Sequence, residues 1–96
     1  MKIIFTPLAM EQWEYWKKNN PNIAKRIKKI LLDIREHPYT GIAKPEPLKY
    51  DLAGKWSRRI NEEHRLIYSV NDDRVEIDIL SMKYHYSRSN PTLTYY

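Results

Sequence analysis

Glu46 is the lone acid in Lys44-Pro45-Glu46-Pro47-Leu48-Lys49. The flanking lysines favour its ionised form at neutral pH. A carboxylate held among basic groups can take a proton from a hydroxyl, a ribose 2′-hydroxyl included. The same residues also make an ordinary surface salt bridge in a stiff loop. Arg59 and Arg65 lie in two strand-like runs that follow. Their planar forks suit phosphate oxygens, although solvated arginines on a sheet face look the same in sequence. His85 sits in Tyr84-His85-Tyr86. An imidazole, with a reference pKa of about 6.5, can give a proton to a leaving 5′-oxygen; the plainer alternative is a histidine packed in an aromatic cluster. A base, a cationic clamp and an acid suffice for RNA cleavage by 2′-hydroxyl attack without a metal. His37, at a helix end, and His64, at a turn, are weaker candidates, and three scattered histidines offer no metal-ligand spacing.

These residues need a scaffold, and the chain supplies one. Lys2 to Thr6 is a short β-branched run that reads as a strand. Thr6-Pro7 is a helix start, with threonine as cap and proline at the first helical position. Ala9, Trp13 and Trp16 then form an apolar stripe that Leu8 and Met10 broaden. Glu11 and Glu14 early and Lys17 and Lys18 late complement the helix dipole. Asn20-Pro21 starts a second helix, in which Ile23, Ile27, Ile30 and Ile34 recur at helical spacing beside Ala24 and Leu31. Its Lys25, Arg26, Lys28 and Lys29 read as a solvated basic face, with direct nucleic-acid contact as the alternative. His37-Pro38 ends it. The short Asn19-Asn20 link predicts an antiparallel helical hairpin.

Residues 38–47 form a loop with three prolines and one glycine, which stiffens the approach to Glu46. From Leu48 the period changes to two. Leu48 to Leu52 is expected as a short strand and Ala53-Gly54 as a turn. Lys55 to Ile60, His64 to Val70 and Val75 to Met82 follow as an antiparallel meander, with turns at Asn61-Glu62-Glu63 and Asn71-Asp72-Asp73. Leu66, Tyr68 and Val70 face the helices, so Arg59 and Arg65 face away from them. Counted from Val75, His85 falls on the face of Ile77 and Ile79. A bulge, or a strand end near Met82, is needed to bring it round. The fold class is α+β, with an N-terminal strand and a two-helix hairpin on one face of a mainly antiparallel sheet.

The 96 residues make one domain. Their 42% apolar content supports a core, and the formal charge of +5 suits a polyanionic partner. With no cysteine there are no disulfides or thiolate metal sites, and a reducing cytoplasm is compatible. No apolar run reaches membrane-spanning length, and the N-terminal run is too short for a signal peptide.

Lys44-Pro-Glu-Pro-Leu-Lys49, Trp56-Ser-Arg-Arg-Ile60, Glu62-Glu-His-Arg-Leu-Ile-Tyr68 and Tyr84-His85-Tyr86 together resemble the YoeB (Txe/YoeB) toxins of bacterial type II toxin–antitoxin systems, within the RelE/ParE group. The resemblance covers residues 1–86. It implies the RelE-like, microbial RNase-like fold and an mRNA endoribonuclease that acts in the ribosomal A site and inhibits translation in the cytoplasm. By the same resemblance Glu46 is the general base, His85 the general acid and Arg65 the stabiliser of the transition state. Tyr86 supports the site, Lys49 and Arg59 contact phosphate, and no cofactor or metal is required. A YefM-like antitoxin with an acidic C-terminal segment is the expected partner, besides mRNA and the ribosome, and homodimers are common in such a family. The polar stretch 87–96 extends beyond the pattern. The alternatives are a ParE-like gyrase inhibitor that does not cleave RNA and a basic binding module.

Overall fold

A computed structural model describes residues 1–83 in full and the backbone of 85–86 and 93–94. β1 (Lys2–Phe5) leads into α1 (Pro7–Asn19) and α2 (Pro21–Glu36). β2 (Glu46–Pro47), a 3-10 turn (Tyr50–Leu52), β3 (Trp56–Arg59), β4 (Arg65–Asn71) and β5 (Glu76–Ser81) follow. Five strands form one sheet in the order β1-β5-β4-β3-β2. All pairs are antiparallel except β1 with β5, because the helical hairpin carries the chain across one face between them. The α+β architecture is as the sequence predicts.

Both helix starts follow their sequence signals. The Thr6 hydroxyl accepts from the Ala9 amide at 3.1 Å, and the Asn20 side chain from the Ile23 amide at 3.3 Å. The core joins the α2 stripe of Ala24, Ile27, Ile30 and Ile34 to Leu66, Tyr68, Ile77 and Ile79 of the sheet. On α1 the stripe is Ala9, Gln12 and Trp16. Leu8 and Met10 are exposed instead of broadening it, since both lie about 100° from Ala9 on the helix wheel. Glu11 and Glu14 fall past the first turn, which holds no acid.

One other expectation changes. The strand expected at Leu48–Leu52 is replaced by the Glu46–Pro47 strand and the Tyr50–Leu52 turn. Tyr50 takes a left-handed φ of 58°, which extended pairing does not allow. Arg26 is exposed with the rest of the basic face. It also reaches the end of β3, donating from Nε to the Ile60 carbonyl at 2.5 Å and from Nη2 to that of Arg59 at 3.4 Å.

β5 carries a bulge. Tyr68 pairs with Ile79, but Ile67 pairs with Ser81, so Leu80 is the extra residue. The Thr6 hydroxyl donates to the Leu80 carbonyl at 3.0 Å and helps hold that kink. Gln12 and Trp16 then grip Met82. Gln12 Oε1 accepts from its amide at 2.7 Å, and the Trp16 indole donates to its carbonyl at 2.9 Å. Beyond this grip Lys83 lies over the Tyr15 ring, 3.8 Å from its centre. β6 (His85–Tyr86) pairs antiparallel with β7 (Leu93–Thr94) in a separate ribbon, and β6 approaches β4.

Candidate active site

The sheet register assembles the face opposite the helices. Glu46 pairs with Ser57, Ser57 with Ile67, and Ile67 with Ser81, which makes one row. Arg59 pairs with Arg65 in the adjacent row. Paired residues point the same way and parity repeats every two residues. Glu46, Arg59 and Arg65 therefore share one face. With strands about 4.8 Å apart and a rise of about 3.4 Å per residue, the Glu46 Cα lies roughly 8 Å from that of Arg59 and roughly 12 Å from that of Arg65. A glutamate and two arginines can close on a phosphodiester across those gaps.

The face is not uniformly open. Ser57, Ile67 and Ser81 are buried, whereas Arg59 and Arg65 are partly exposed and Glu46 is exposed. The cationic row is thus reachable while the middle row is closed. The Ser81 hydroxyl has no hydrogen-bond partner among the described residues. Only the Leu80 bulge brings Ser81 to this side, so strand parity read from sequence puts it on the other.

Arg65 is held by the turn before it. Its Nη1 donates to the carbonyls of Asn61 at 2.7 Å, His64 at 3.1 Å and Glu62 at 3.4 Å. Asn61 shapes that turn, its side-chain oxygen accepting from the amides of Glu63 at 2.9 Å and His64 at 2.7 Å. Among the described residues all of Arg65's hydrogen bonds run through Nη1, which leaves the Nε–Nη2 edge for a ligand. Burial, then the charge of Arg59, pulls the Arg65 pKa below its ordinary value, against the opposing pull of Glu62 and Glu46. Arginine remains cationic at neutral pH regardless. Arg59 has a loose ion pair with exposed Glu62 at 3.8 Å. Lys49 is exposed on the connection after β2, where the Leu48 amide donates to the Lys55 carbonyl at 2.9 Å.

The backbone of His85 and Tyr86 forms β6, and their side chains, like Tyr84 and residues 87–92, 95 and 96, lie outside the described residues. Both conditions set by strand parity are present: a bulge at Leu80 and a bend at Met82-Lys83. His64 is buried edge-on against Trp16, with ring centres 4.9 Å apart, and so belongs to the packing behind the site. His37 caps α2 and is exposed.

Sequence reasoning misses Arg58. It is fully buried and spends its donors within the protein. Nη1 binds the Asp33 carboxylate at 2.7 Å and the Ile42 carbonyl at 3.0 Å. Nη2 binds the carbonyls of His37 at 2.6 Å and Thr40 at 2.9 Å, and Nε the Tyr68 hydroxyl at 3.0 Å. The signal was present, since Arg58 stands between Trp56 and Ile60 on the apolar face of β3. The Tyr68 hydroxyl donates to the Pro38 carbonyl at 2.6 Å, and burial pushes its phenol pKa up. Burial also pushes Asp33 up, but the hydrogen bonds from Arg58 and the Ile42 amide, with the charges of Arg58 and His37, outweigh it and leave the carboxyl below its ordinary value.

A two-helix hairpin over a mainly antiparallel sheet is the fold of solved bacterial toxins of the YoeB/RelE-like kind. Residues 5–86 match the family of YoeB-like toxins of bacterial type II toxin-antitoxin systems, and the chain belongs to that family. It is 45% identical over 86 residues to a toxin YoeB of Escherichia coli, covering 90% of this chain and 100% of that one. The solved YoeB/ParE toxin from Agrobacterium tumefaciens superposes with a TM-score of 0.86 at 34% identity, over 90% of this chain and 100% of that one. Staphylococcus aureus YoeB, solved as a dimer, superposes at 0.81 with 45% identity, and as a YoeB-YefM complex at 0.79 with 46% identity. Both cover 90% of this chain and 98% of theirs. Among the described residues, no helix is long and apolar enough to cross a membrane.

Proposed function

We propose that this toxin is a ribosome-dependent mRNA endoribonuclease that cuts in the A site. The observation that carries the reading is the register that gathers Glu46, Arg59 and Arg65 on one face. The Glu46 carboxylate takes the proton of a ribose 2′-hydroxyl. The 2′-oxygen then attacks the adjacent phosphorus, and the bond to the 5′-oxygen breaks. A 2′,3′-cyclic phosphate and a 5′-hydroxyl end result. The Nε–Nη2 edge of Arg65 stabilises charge on the non-bridging oxygens. Arg59 and Lys49 hold flanking phosphates. His85 donates the proton that the leaving 5′-oxygen acquires, and Tyr86 orients it. The chemistry draws on side chains alone.

The partners follow from the same reading. A YefM-like antitoxin with an acidic segment complements the Arg59–Arg65 row, and a homodimer is the expected free form, as for the Staphylococcus aureus relative. Both act in the cytoplasm, where translating ribosomes are. Residues 1–86 constitute the toxin domain and 87–96 an extension of it. The test is primer extension on mRNA in a translating extract. New cuts within codons are expected from the parent, and none from folded Glu46→Ala, Arg65→Ala or His85→Ala. Absence of cuts from the parent, or undiminished cutting by all three variants, refutes the reading. Inhibited DNA supercoiling without RNA cuts would point to a gyrase inhibitor instead.

A further inference from the structure

The segment that delivers Glu46 is held by something other than its prolines. Ala43 and Lys44 both adopt left-handed φ, at 62° and 51°, immediately before Pro45-Glu46. Consecutive non-glycine residues keep such angles only where their surroundings over-determine them. The surroundings here are specific. The Ala43 carbonyl accepts from the Arg59 amide at 2.6 Å. One residue earlier, the Ile42 carbonyl accepts from Arg58 and the Ile42 amide donates to Asp33 at 3.1 Å. Arg58 also takes the carbonyls of His37 and Thr40, so its one guanidinium binds the loop at three points and Asp33 at a fourth. Gly41 lies so close to the Asp33 carboxylate that a Cβ there would collide with it, and its φ is 114°. Residues 37 and 39–42 are exposed; besides Arg58, the loop is touched by the Tyr68 hydroxyl at the Pro38 carbonyl and by Trp56 against the Tyr39 ring.

We infer that buried Arg58, seated on Asp33, is a positioning residue that fastens loop 37–43 and so fixes where Glu46 enters the sheet. The placement on β3 makes this direct. Arg58 lies between Ser57, the partner of Glu46, and Arg59, whose amide holds Ala43. One strand segment therefore sets the base, its clamp and a phosphate-binding cation in a common frame. The consequence for catalysis rests on the proposed role of Glu46. The consequence for its placement does not.

The chain has no cysteine, so Glu46→Cys accepts a single trifluoromethyl label, with Asp73→Cys in the β4–β5 turn as control. Arg58→Lys keeps the charge but loses the planar fork. Asp33→Asn is a milder second variant should the first not fold. In either background the fluorine resonance at position 46 is expected to broaden or split while that at 73 stays single. With Glu46 intact, Arg58→Lys should lower kcat on translating ribosomes by on the order of 10²-fold, as misplacement by about 1 Å does, with KM within about threefold. An unchanged fluorine line at 46 in the folded variants overturns the inference, whatever the protein cleaves. A shifted line with full cleavage instead overturns Glu46 as the base. If the parent cleaves nothing, the endoribonuclease reading falls and the fluorine result still decides the positioning role.

Discussion

Gly41→Ala measures the Asp33 contact, and Gly54→Ala supplies its control. Gly41 has φ of 114° with Asp33 against the position a Cβ would take; Gly54 has φ of 91° with nothing within 4 Å of its Cβ. Backbone strain is common to both, of order 1–3 kcal/mol for an L residue in that region. Both also gain about 0.4–1 kcal/mol from a less flexible unfolded chain. Only Gly41→Ala must displace Asp33, which strains or breaks the bonds from Arg58 and the Ile42 amide. Losing a hydrogen bond to a charged group costs about 1.5–3 kcal/mol. The net expectation is roughly 2–5 kcal/mol for Gly41→Ala and about 0–2.5 kcal/mol for Gly54→Ala. Urea unfolding at fixed m-value reads both. An Asp33→Ala background removes the collision, so there the two costs should converge within about 0.5 kcal/mol. Equal costs in the parent, or an undiminished Gly41→Ala cost without Asp33, would refute the account.

The carboxyl of Asp33 is depressed in the folded chain, so its stabilisation is complete above the unfolded value near 3.8 and is lost as pH falls through the lower folded value. The stability advantage of the parent over Asp33→Asn, measured by urea at pH 7 and again near pH 3, should therefore shrink with acid. Trp16→Phe keeps an aromatic against His64 but strips the buried Met82 carbonyl of its donor. A cost of about 1–3 kcal/mol and a melting temperature lower by on the order of 10 °C are expected by calorimetry. Arg59→Gln loses only an exposed ion pair and relieves a like-charge cross-strand contact, so stability should change by less than about 0.5 kcal/mol. Its affinity for a single-stranded RNA oligonucleotide should nevertheless fall, with a salt slope shallower by about 0.7.

Much of this was legible in sequence because the decisive features are periodic or capped. The α2 isoleucines, the Thr6-Pro7 and Asn20-Pro21 starts and the period-two runs around Arg59 and Arg65 each carry a local signal. The failures are equally physical. The Leu80 bulge reverses parity through one unpaired residue whose kink is held by Thr6, 74 residues away in sequence. Gln12 looks like a surface residue until the Met82 amide, 70 residues away, claims it. Leu48–Leu52 has a strand composition, but a left-handed Tyr50 turns it.

Arg58 and Arg59 are adjacent in sequence and identical in type, and they show how little residue type alone decides. Parity turns one into the core and the other outward. Arg58 commits Nε, Nη1 and Nη2 to protein acceptors, so it has no fork left to offer a phosphate. Among the described residues Arg65, across from Arg59, commits only Nη1, to carbonyls of its own turn and of the residue before it. Those neutral acceptors orient the guanidinium without cancelling its charge, whereas Asp33 does cancel that of Arg58. The like-charged Arg59–Arg65 pair is only partly offset among the described residues, by the loose Glu62 contact at 3.8 Å and the pull of Glu62 and Glu46 on Arg65. Anions that reach this row relieve a repulsion already present. On the proposed function, a phosphodiester and an acidic antitoxin segment would compete for this same row.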